Sequence, residues 1–326
     1  MTPDLVGRRP HVPASDLVGQ LVPPPHFARA TFDTYLPDPD YPSQAAAQEA
    51  ARRFATGATR RGLVGLRPSS SGRGLYLDGG FGVGKTHLLA SMAHAVGDRA
   101  AFGTFVEYTH LVGALGFAGA REQLAGFALV CIDEFELDDP GDTLLMARLM
   151  RELTDGGVAV AATSNTLPES LGEGRFAAED FRREIQAVAA VFSVQTMDGR
   201  DYRRRGEIAF PPPASDGDLD AIGEASGGTV ADWKALVDDL WHVHPSRYGA
   251  YVEGIEVLGV SDVGPLEDQA QALRVVALVD RLYDRDVRVV ATGESLGDIF
   301  TPDMLRGGYR KKYFRALSRL AAMAEA

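Results

Sequence analysis

The 326-residue sequence predicts an α/β fold: a parallel sheet with helices on both faces, an N-terminal extended arm before it and a smaller C-terminal α/β or helical region after it. Three observations carry that expectation. Short β-rich runs alternate with helical patterns from Leu75 onward. A glycine-rich loop, Gly79 to Thr86, joins the first such run to a helical one. Composition shifts at the proline-rich opening stretch and again at Pro211-Pro212-Pro213. The expected division is an arm with a short helix over 1–66, a core over 67–210, a linker over 211–230 and a lid-like domain over 231–326.

Taken in order, the proline-rich arm ends in a helix from Ser43 to Phe54, where alanines and glutamine follow a Pro-Ser start. A Gly/Ser/Arg segment, Arg67 to Gly74, leads into Leu75-Tyr76-Leu77, Thr104 to Tyr108, Leu129 to Ile132, Val158 to Ala162 and Val191 to Val194, each read as a strand. A helical run, His87 to Val96, follows the glycine-rich loop. Small and acidic residues after the three prolines read as the linker. Beyond it come Trp233 to Trp241, a strand at Ile255 to Leu258, a helix at Ala270 to Tyr283, a strand at Val287 to Ala291 and a basic amphipathic helix from Tyr309. Met146 to Leu171 resembles Val275 to Phe300 without gaps, sharing Leu149/Leu278, Leu153/Leu282, Val158/Val287, Val160/Val289 and Thr163/Thr292. Helix-turn-strand units converge on such spacing, and a single pair lacks the sustained period of a repeat protein.

Composition narrows the function. No run of about 18 apolar residues occurs and the opening residues carry prolines and charges, so neither a membrane span nor a signal peptide is expected and the cytoplasm is the expected compartment. A single cysteine, Cys131, excludes an intrachain disulfide and a cysteine-built zinc site. The net charge of -12 disfavours sequence-independent nucleic-acid binding.

Gly79-Gly80-Phe81-Gly82-Val83-Gly84-Lys85-Thr86 matches the G-x-x-x-x-G-K-[ST] phosphate loop at every fixed position, between a strand and a helix as that loop requires. Its amides would close around nucleotide phosphates, Lys85 would reach the β- and γ-oxygens, and the Thr86 hydroxyl would hold Mg²⁺. His87, next on the helix, is grouped with the nucleotide-contacting residues as packing or outer shell. Leu129 to Ile132 ends in Asp133 and Glu134: the first acid suits the metal, the second a water-polarising general base. Val158 to Ala162 ends in Thr163-Ser164-Asn165, which places Asn165 beyond a strand's carboxyl end, where ligand contacts lie. Together the three strand-end patterns predict a P-loop NTPase core that hydrolyses a nucleotide, and the absence of a guanine-specific Asn-Lys-x-Asp motif favours ATP over GTP. Arg175, Arg182, Arg183, Arg315 and Arg319 are candidates to stabilise transition-state charge, with Arg175 the candidate catalytic arginine and Arg319 the candidate nucleotide contact from the C-terminal helix. Arg203-Arg204-Arg205 reads as a solvated run, and His242-Val243-His244 lacks a third metal ligand.

Leu21 to Phe27, Phe32-Asp33-Thr34-Tyr35-Leu36-Pro37-Asp38, Pro42-Ser43-Gln44, the phosphate loop, Asp133 to Glu136, Ala162 to Pro168, Asp201 to Arg205, Val279 to Tyr283 and Ser318-Arg319-Leu320 together resemble the ZapE family of ATPases, bacterial cell-division proteins with mitochondrial AFG-one-like relatives. The resemblance implies an AAA+-like core, Mg·ATP, a homo-oligomer and hydrolysis coupled to remodelling of a protein partner, the division-ring protein FtsZ in bacterial members. It carries Lys85 and Thr86 to the Walker A roles, Asp133 and Glu134 to Walker B and Asn165 to sensor 1. The chain departs from the family at Glu179 and Asp180, before Phe181, where members carry arginines, and around Trp241 to Tyr251. Gly84 to Leu89 is also similar to DnaA- and DnaC-like replication ATPases or helicase loaders; the acidic balance and the lack of a helix-turn-helix pattern weigh against direct DNA binding.

Overall fold

The computed structural model describes residues 4–10, 13, 16–64, 74–136, 140–168, 182–199 and 209–324. The chain forms two units, one of Pro13–Pro23 with Phe27–Tyr202, the other of Met1–Val12 with Pro24–His26 and Arg203–Ala326.

The first unit runs α1 (Pro42–Val64), β1 (Gly74–Gly79), α2 (Lys85–Val96), β2 (Ala100–Thr104), α3 (Phe105–Leu124), β3 (Leu129–Asp133), α4 (Pro140–Asp155), β4 (Ala159–Ser164), α5 (Arg182–Ala189) and β5 (Phe192–Met197). Its five strands are all parallel, in the order β2-β3-β4-β1-β5. Alternate residues of a strand face opposite sides of a sheet. Val130 and Ile132 accordingly pack with Tyr108, Leu111, Met146 and Leu149 of α3 and α4, whereas Leu129 and Cys131 pack with Ala47, Leu88 and Met92 of α1 and α2. Two covered faces explain why β3 reads as an unbroken apolar run.

The second unit runs α6 (Asp216–Glu224), β6 (Gly228–Asp232), α7 (Trp233–Asp239), α8 (Tyr248–Tyr251), β7 (Val257–Val263), α9 (Gln269–Tyr283), β8 (Arg288–Gly293), α10 (Pro302–Arg306) and α11 (Arg310–Ala324). Its sheet is parallel in the order β6-β7-β8, so the region left open between α/β and helical is α/β. One core joins Leu236, Tyr248, Leu258, Val279, Val289 and Leu317.

Three expectations need correction. The run Thr104 to Tyr108 is not a strand: the strand ends at Thr104, whose side chain accepts from the Glu107 amide while the Glu107 carboxylate accepts from the Thr104 amide, a capping box that starts α3 at Phe105. The stretch 211–230 is not a bare linker, because Ser215 and Asp218 form a second capping box that starts α6, and β6 follows. The boundary drawn at residue 66 does not separate the arm from the core it was expected to wrap: Phe32, Tyr35, Ala47 and Ala51 lie in the core of the first unit. Its opening residues belong to the second, where Leu5 is fully buried and Asp239 accepts from the Gly7 amide and pairs with Arg9.

The internal similarity extends further than the sequence shows. β2 and β3 pair from Ala100 opposite Leu129 to Thr104 opposite Asp133; β6 and β7 pair from Gly228 opposite Val257 to Asp232 opposite Ser261, both strands displaced by one common offset. β3 and β4 pair from Leu129 opposite Ala159 to Ile132 opposite Ala162, as β7 and β8 pair from Val257 opposite Arg288 to Val260 opposite Ala291. Thr104 and Asp232, which correspond, each cap the following helix. The second unit repeats the β2-β3-β4 half of the first in architecture and register, without a counterpart to β1 among the described residues.

Candidate active site

The loop between β1 and α2 turns on glycine. Gly82 and Gly84 have φ of 75° and 86°, the left-handed region that side chains with a Cβ rarely adopt. Gly84 is also the N-cap of α2 and offers no side-chain cap, so the amides of the first turn face outward as an anion cradle. A Cβ on Gly84 would stand 2.4 Å from Cε2 of Tyr35, whose ring closes over the loop and whose hydroxyl donates to the Val83 carbonyl at 2.8 Å. Burial pushes the Tyr35 phenol up to about 12.

The strand order brings the remaining chemistry to this loop. Because β4 lies between β1 and β3, the carboxyl ends of all three strands converge on one point. Lys85 Nζ donates to the Gly79 and Gly80 carbonyls, at 2.8 and 2.6 Å, and to Asn165 Oδ1 at 2.8 Å. The Thr86 hydroxyl lies 3.2 Å from both Asp133 carboxylate oxygens. Asp133 is buried, and Thr163 from β4 donates to it. Glu134 takes a φ of 53°, and its amide donates to the Thr163 hydroxyl at 3.1 Å. Phe135 is fully buried against Tyr76, Phe105 and Phe192, and its amide donates to the Thr163 carbonyl at 2.7 Å, so the exit of β3 is pinned on both sides of Glu134. Tyr76 holds the exit of β4 in the same way, its hydroxyl donating to the Thr166 carbonyl at 2.8 Å.

The structure therefore gathers Gly79, Gly80, Gly84, Lys85, Thr86, Asp133, Glu134 and Asn165 into one site. His87 stands on the first turn of α2, but its imidazole is engaged by the arm, with Nε2 3.0 Å from the Thr31 carbonyl and 3.1 Å from the Thr34 hydroxyl. Arg319 lies in the second unit, where it pairs with Asp280 and sits over the Tyr283 ring. Arg315 joins the same carboxylate at 2.6 Å. Burial alone would raise the Asp280 carboxyl, and the charges of Arg315 and Arg319 overcome it and hold it below the usual range. Arg175, Phe181 and Arg203-Arg204-Arg205 lie outside the described residues, as does the side chain of Arg182.

Two contributors were missed in the sequence. Thr163 was singled out as part of a polar strand end without a role, and it turns out to bridge Asp133 to the Glu134 backbone. Tyr35 carried no chemical signal beyond its place in a family-like run.

Thr86 and Asp133 fit a magnesium ion: a hydroxyl and a carboxylate are hard oxygen donors, and Mg²⁺ is commonly held by one or two protein ligands together with phosphates. Among the described residues no group of three or more His, Cys, Asp or Glu could hold a metal by itself.

The cell division protein ZapE of Escherichia coli strain K12 is 27% identical over 297 residues, covering 77% of this chain and 78% of that protein. An uncharacterized Schizosaccharomyces pombe protein is 29% identical over 277 residues, covering 68% of this chain and 60% of its own length. Among solved structures, domain III of the Thermotoga maritima replication initiation protein DnaA matches with a TM-score of 0.40 at 17% identity, over 80% of this chain and 85% of that one. The model of the AFG1-like ATPase family matches residues 11–213 and 220–326. With a phosphate loop, a strand-end acid pair and Asn165 assembled at one point and the family's pattern running through both units, the chain belongs to the AFG1-like ATPases.

Proposed function

We propose that this ATPase hydrolyses Mg·ATP at the site built by β1, β3 and β4 and couples turnover to remodelling of a protein partner in bacterial cell division, with the FtsZ ring as the first partner to test. The observation that carries the catalytic part is the meeting of Lys85 with Asn165 and of Thr86 with Asp133, four groups from three strand ends. The loop amides and Lys85 bind and orient the phosphates. Thr86 and Asp133 would hold Mg²⁺, whose chemistry when bound would be neutralisation of phosphate charge. Glu134 accepts a proton from a water whose oxygen attacks the γ-phosphorus as the bond to the β–γ bridging oxygen breaks. Asn165 steadies the γ-phosphate. The site thus works by positioning and charge stabilisation. Phe81, Gly82 and Val83 contribute loop backbone, and Arg175, from this chain or a second copy, is the proposed source of the guanidinium that this chemistry usually recruits.

The division-ring part rests on the similarity to ZapE. A homo-oligomer and a cytoplasmic location complete the reading; no helix among the described residues is long and apolar enough to cross a membrane. The test is ATP turnover and size-exclusion mass for the wild type and Glu134→Gln, with purified FtsZ or single-stranded DNA added. Turnover stimulated by FtsZ and lost in Glu134→Gln supports the whole reading. Stimulation by DNA alone replaces the division-ring partner with a replication role.

A further inference from the structure

Val83 and Gly84 of the phosphate loop are held by two groups from distant parts of the first unit. From the arm, the Tyr35 hydroxyl donates to the Val83 carbonyl at 2.8 Å, and its ring stands against Gly84. From the exit of β5, Gly199 lies so near the Val83 side chain that a Cβ added there would stand 2.3 Å from Cγ1. Tyr35, Asp38, Asp198 and Gly199 all lie outside helices and strands, so no ladder or helical turn fixes them and side chains must do it.

Gln44, in the first turn of α1, joins the two segments. It is 6% exposed, and both ends of its side-chain amide are engaged: Oε1 accepts from the Asp38 amide at 2.9 Å and lies 3.4 Å from the Tyr35 hydroxyl, while Nε2 donates to the Asp198 carbonyl at 2.8 Å. These partners fix its orientation, because a main-chain N–H needs the oxygen and a main-chain carbonyl needs the NH₂ group. The hydroxyl of Ser43 accepts from the Asp198 amide at 2.9 Å, so both main-chain groups of Asp198 are bonded to the start of α1. Asp198 in turn delivers Gly199 to Val83, and the arm that Gln44 holds at Asp38 delivers Tyr35 to Gly84.

We propose that Gln44 is a positioning residue of the ATPase: it ties the arm to the exit of β5 and so holds the phosphate loop, at Val83 and Gly84, in the conformation that receives the nucleotide. This role rests on Gly79 to Thr86 being the nucleotide site. Gln44 makes no contact with Lys85, Thr86, Asp133 or Glu134 among its hydrogen bonds, and acts through Tyr35 and Gly199 alone. The loop holds the phosphates in the ground state and in the transition state alike, so loosening it weakens nucleotide binding and leaves kcat nearly unchanged.

The test compares the full chain with Gln44→Leu, which removes the bonds to Asp38, Tyr35 and Asp198, and with Gln44→Glu, which keeps the shape and an acceptor for Asp38 but has no N–H for the Asp198 carbonyl. Calorimetry gives Kd for Mg·ADP, and phosphate release gives KM and kcat for ATP, at a temperature where circular dichroism shows every variant folded. Gln44→Leu is expected to raise Kd and KM about tenfold with kcat within about twofold, and Gln44→Glu to raise them about fivefold. In a Tyr35→Phe background the Gln44→Leu effect should shrink to about threefold, because the arm half of the tie is already cut and only the β5 half remains. A lower melting temperature with unchanged Kd and KM would reduce Gln44 to a structural role and overturn the proposal, as would effects of Tyr35→Phe and Gln44→Leu that simply multiply. Lys85→Ala separates the two readings: if it binds Mg·ADP as tightly as the wild type, the nucleotide site itself is misplaced and the role of Gln44 falls with it; if it binds weakly, the Gln44 variants alone decide.

Discussion

The unit β3-α4-β4 and the unit β7-α9-β8 pair their strands alike, yet only the first carries its strand ends to a phosphate loop. The likeness reaches a detail that would ordinarily be read as a mark of function. Glu134, just after β3, has φ 53° and donates its amide to the Thr163 hydroxyl at 3.1 Å; Asp262, inside β7 at the irregularity between Val260 and Val263, has φ 54° and donates its amide to the Thr292 hydroxyl at 3.2 Å. A non-glycine residue in the left-handed region costs roughly 1 to 3 kcal/mol and often signals an active site. Here the same backbone conformation and hydroxyl bond recur where no phosphate loop stands, so they do not by themselves mark a catalytic site. What separates the two is the chemistry at the neighbouring position, Asp133 against Ser261, and what lies beside the last strand: the phosphate-loop strand β1 in one case, the segment after three prolines, bonded through Ala214 to Ala291, in the other.

The comparison can be broken most forcefully at the loop. Lys85→Ala and Glu134→Gln are each expected to cut ATP turnover by roughly 100- to 1,000-fold, whereas Asp262→Asn should leave it within about twofold, as phosphate release would show. Loss of turnover in Asp262→Asn would mean that the second unit shares in catalysis. Next in size is the buried cluster of the second unit. Asp280→Asn removes the carboxylate that pairs with Arg315, 8% exposed, and with Arg319, and is expected to cost about 3 to 5 kcal/mol in a denaturant melt.

The same residue sets a pH dependence. The Asp280 carboxyl is held below its ordinary value, so its contribution is fully present above the unfolded carboxylate range, near pH 4, and is lost as pH falls through the lower folded value. Wild-type stability should therefore drop more steeply with acid below about pH 4 than that of Asp280→Asn; parallel curves would remove Asp280 from the account.

Thr163→Val and Thr292→Val form a matched pair. Each deletes one hydroxyl bond at a strand end and should cost about 1 kcal/mol of stability, but only Thr163→Val should also lower turnover, by roughly tenfold, because Thr163 alone orients an acid of the site. Smallest is Tyr35→Phe, which removes the bond to the Val83 carbonyl while keeping the ring over Gly84. Nucleotide affinity is expected to weaken about fivefold with kcat nearly unchanged, measured by calorimetry and steady-state turnover. Its phenol, raised by burial to about 12, is also expected to titrate above the ordinary tyrosine range in a difference spectrum.

Much of the site was legible in the chain. Gly79 to Thr86 is read locally, since left-handed glycines and a helix start are properties of consecutive residues. Asp133, Glu134 and Asn165 were legible because each closes an apolar run long enough to be a buried strand. Thr104 to Tyr108 misled because β-branched and aromatic residues in a row look like a strand, while the Thr104–Glu107 capping box decides for a helix. The linker reading failed likewise at Ser215 and Asp218, whose reciprocal bonds start a helix within a stretch of low apolar content. Tyr35 was not legible as a loop contact, because its partner Val83 is remote in sequence and its hydroxyl carries no catalytic signature.

The sequence by itself determined the parallel α/β class, the phosphate loop and the identities of the acids, because these follow from periodicity, glycine spacing and side-chain chemistry over short spans. Only the tertiary structure decided that β4 enters between β1 and β3 and so delivers Asn165 to Lys85, that the arm closes over Gly84, and that the second unit repeats the β2-β3-β4 part of the first without a counterpart to β1 among the described residues. Strand order and edge occupancy are set by which apolar faces and main-chain groups find partners far apart in the chain, and no local pattern encodes that pairing.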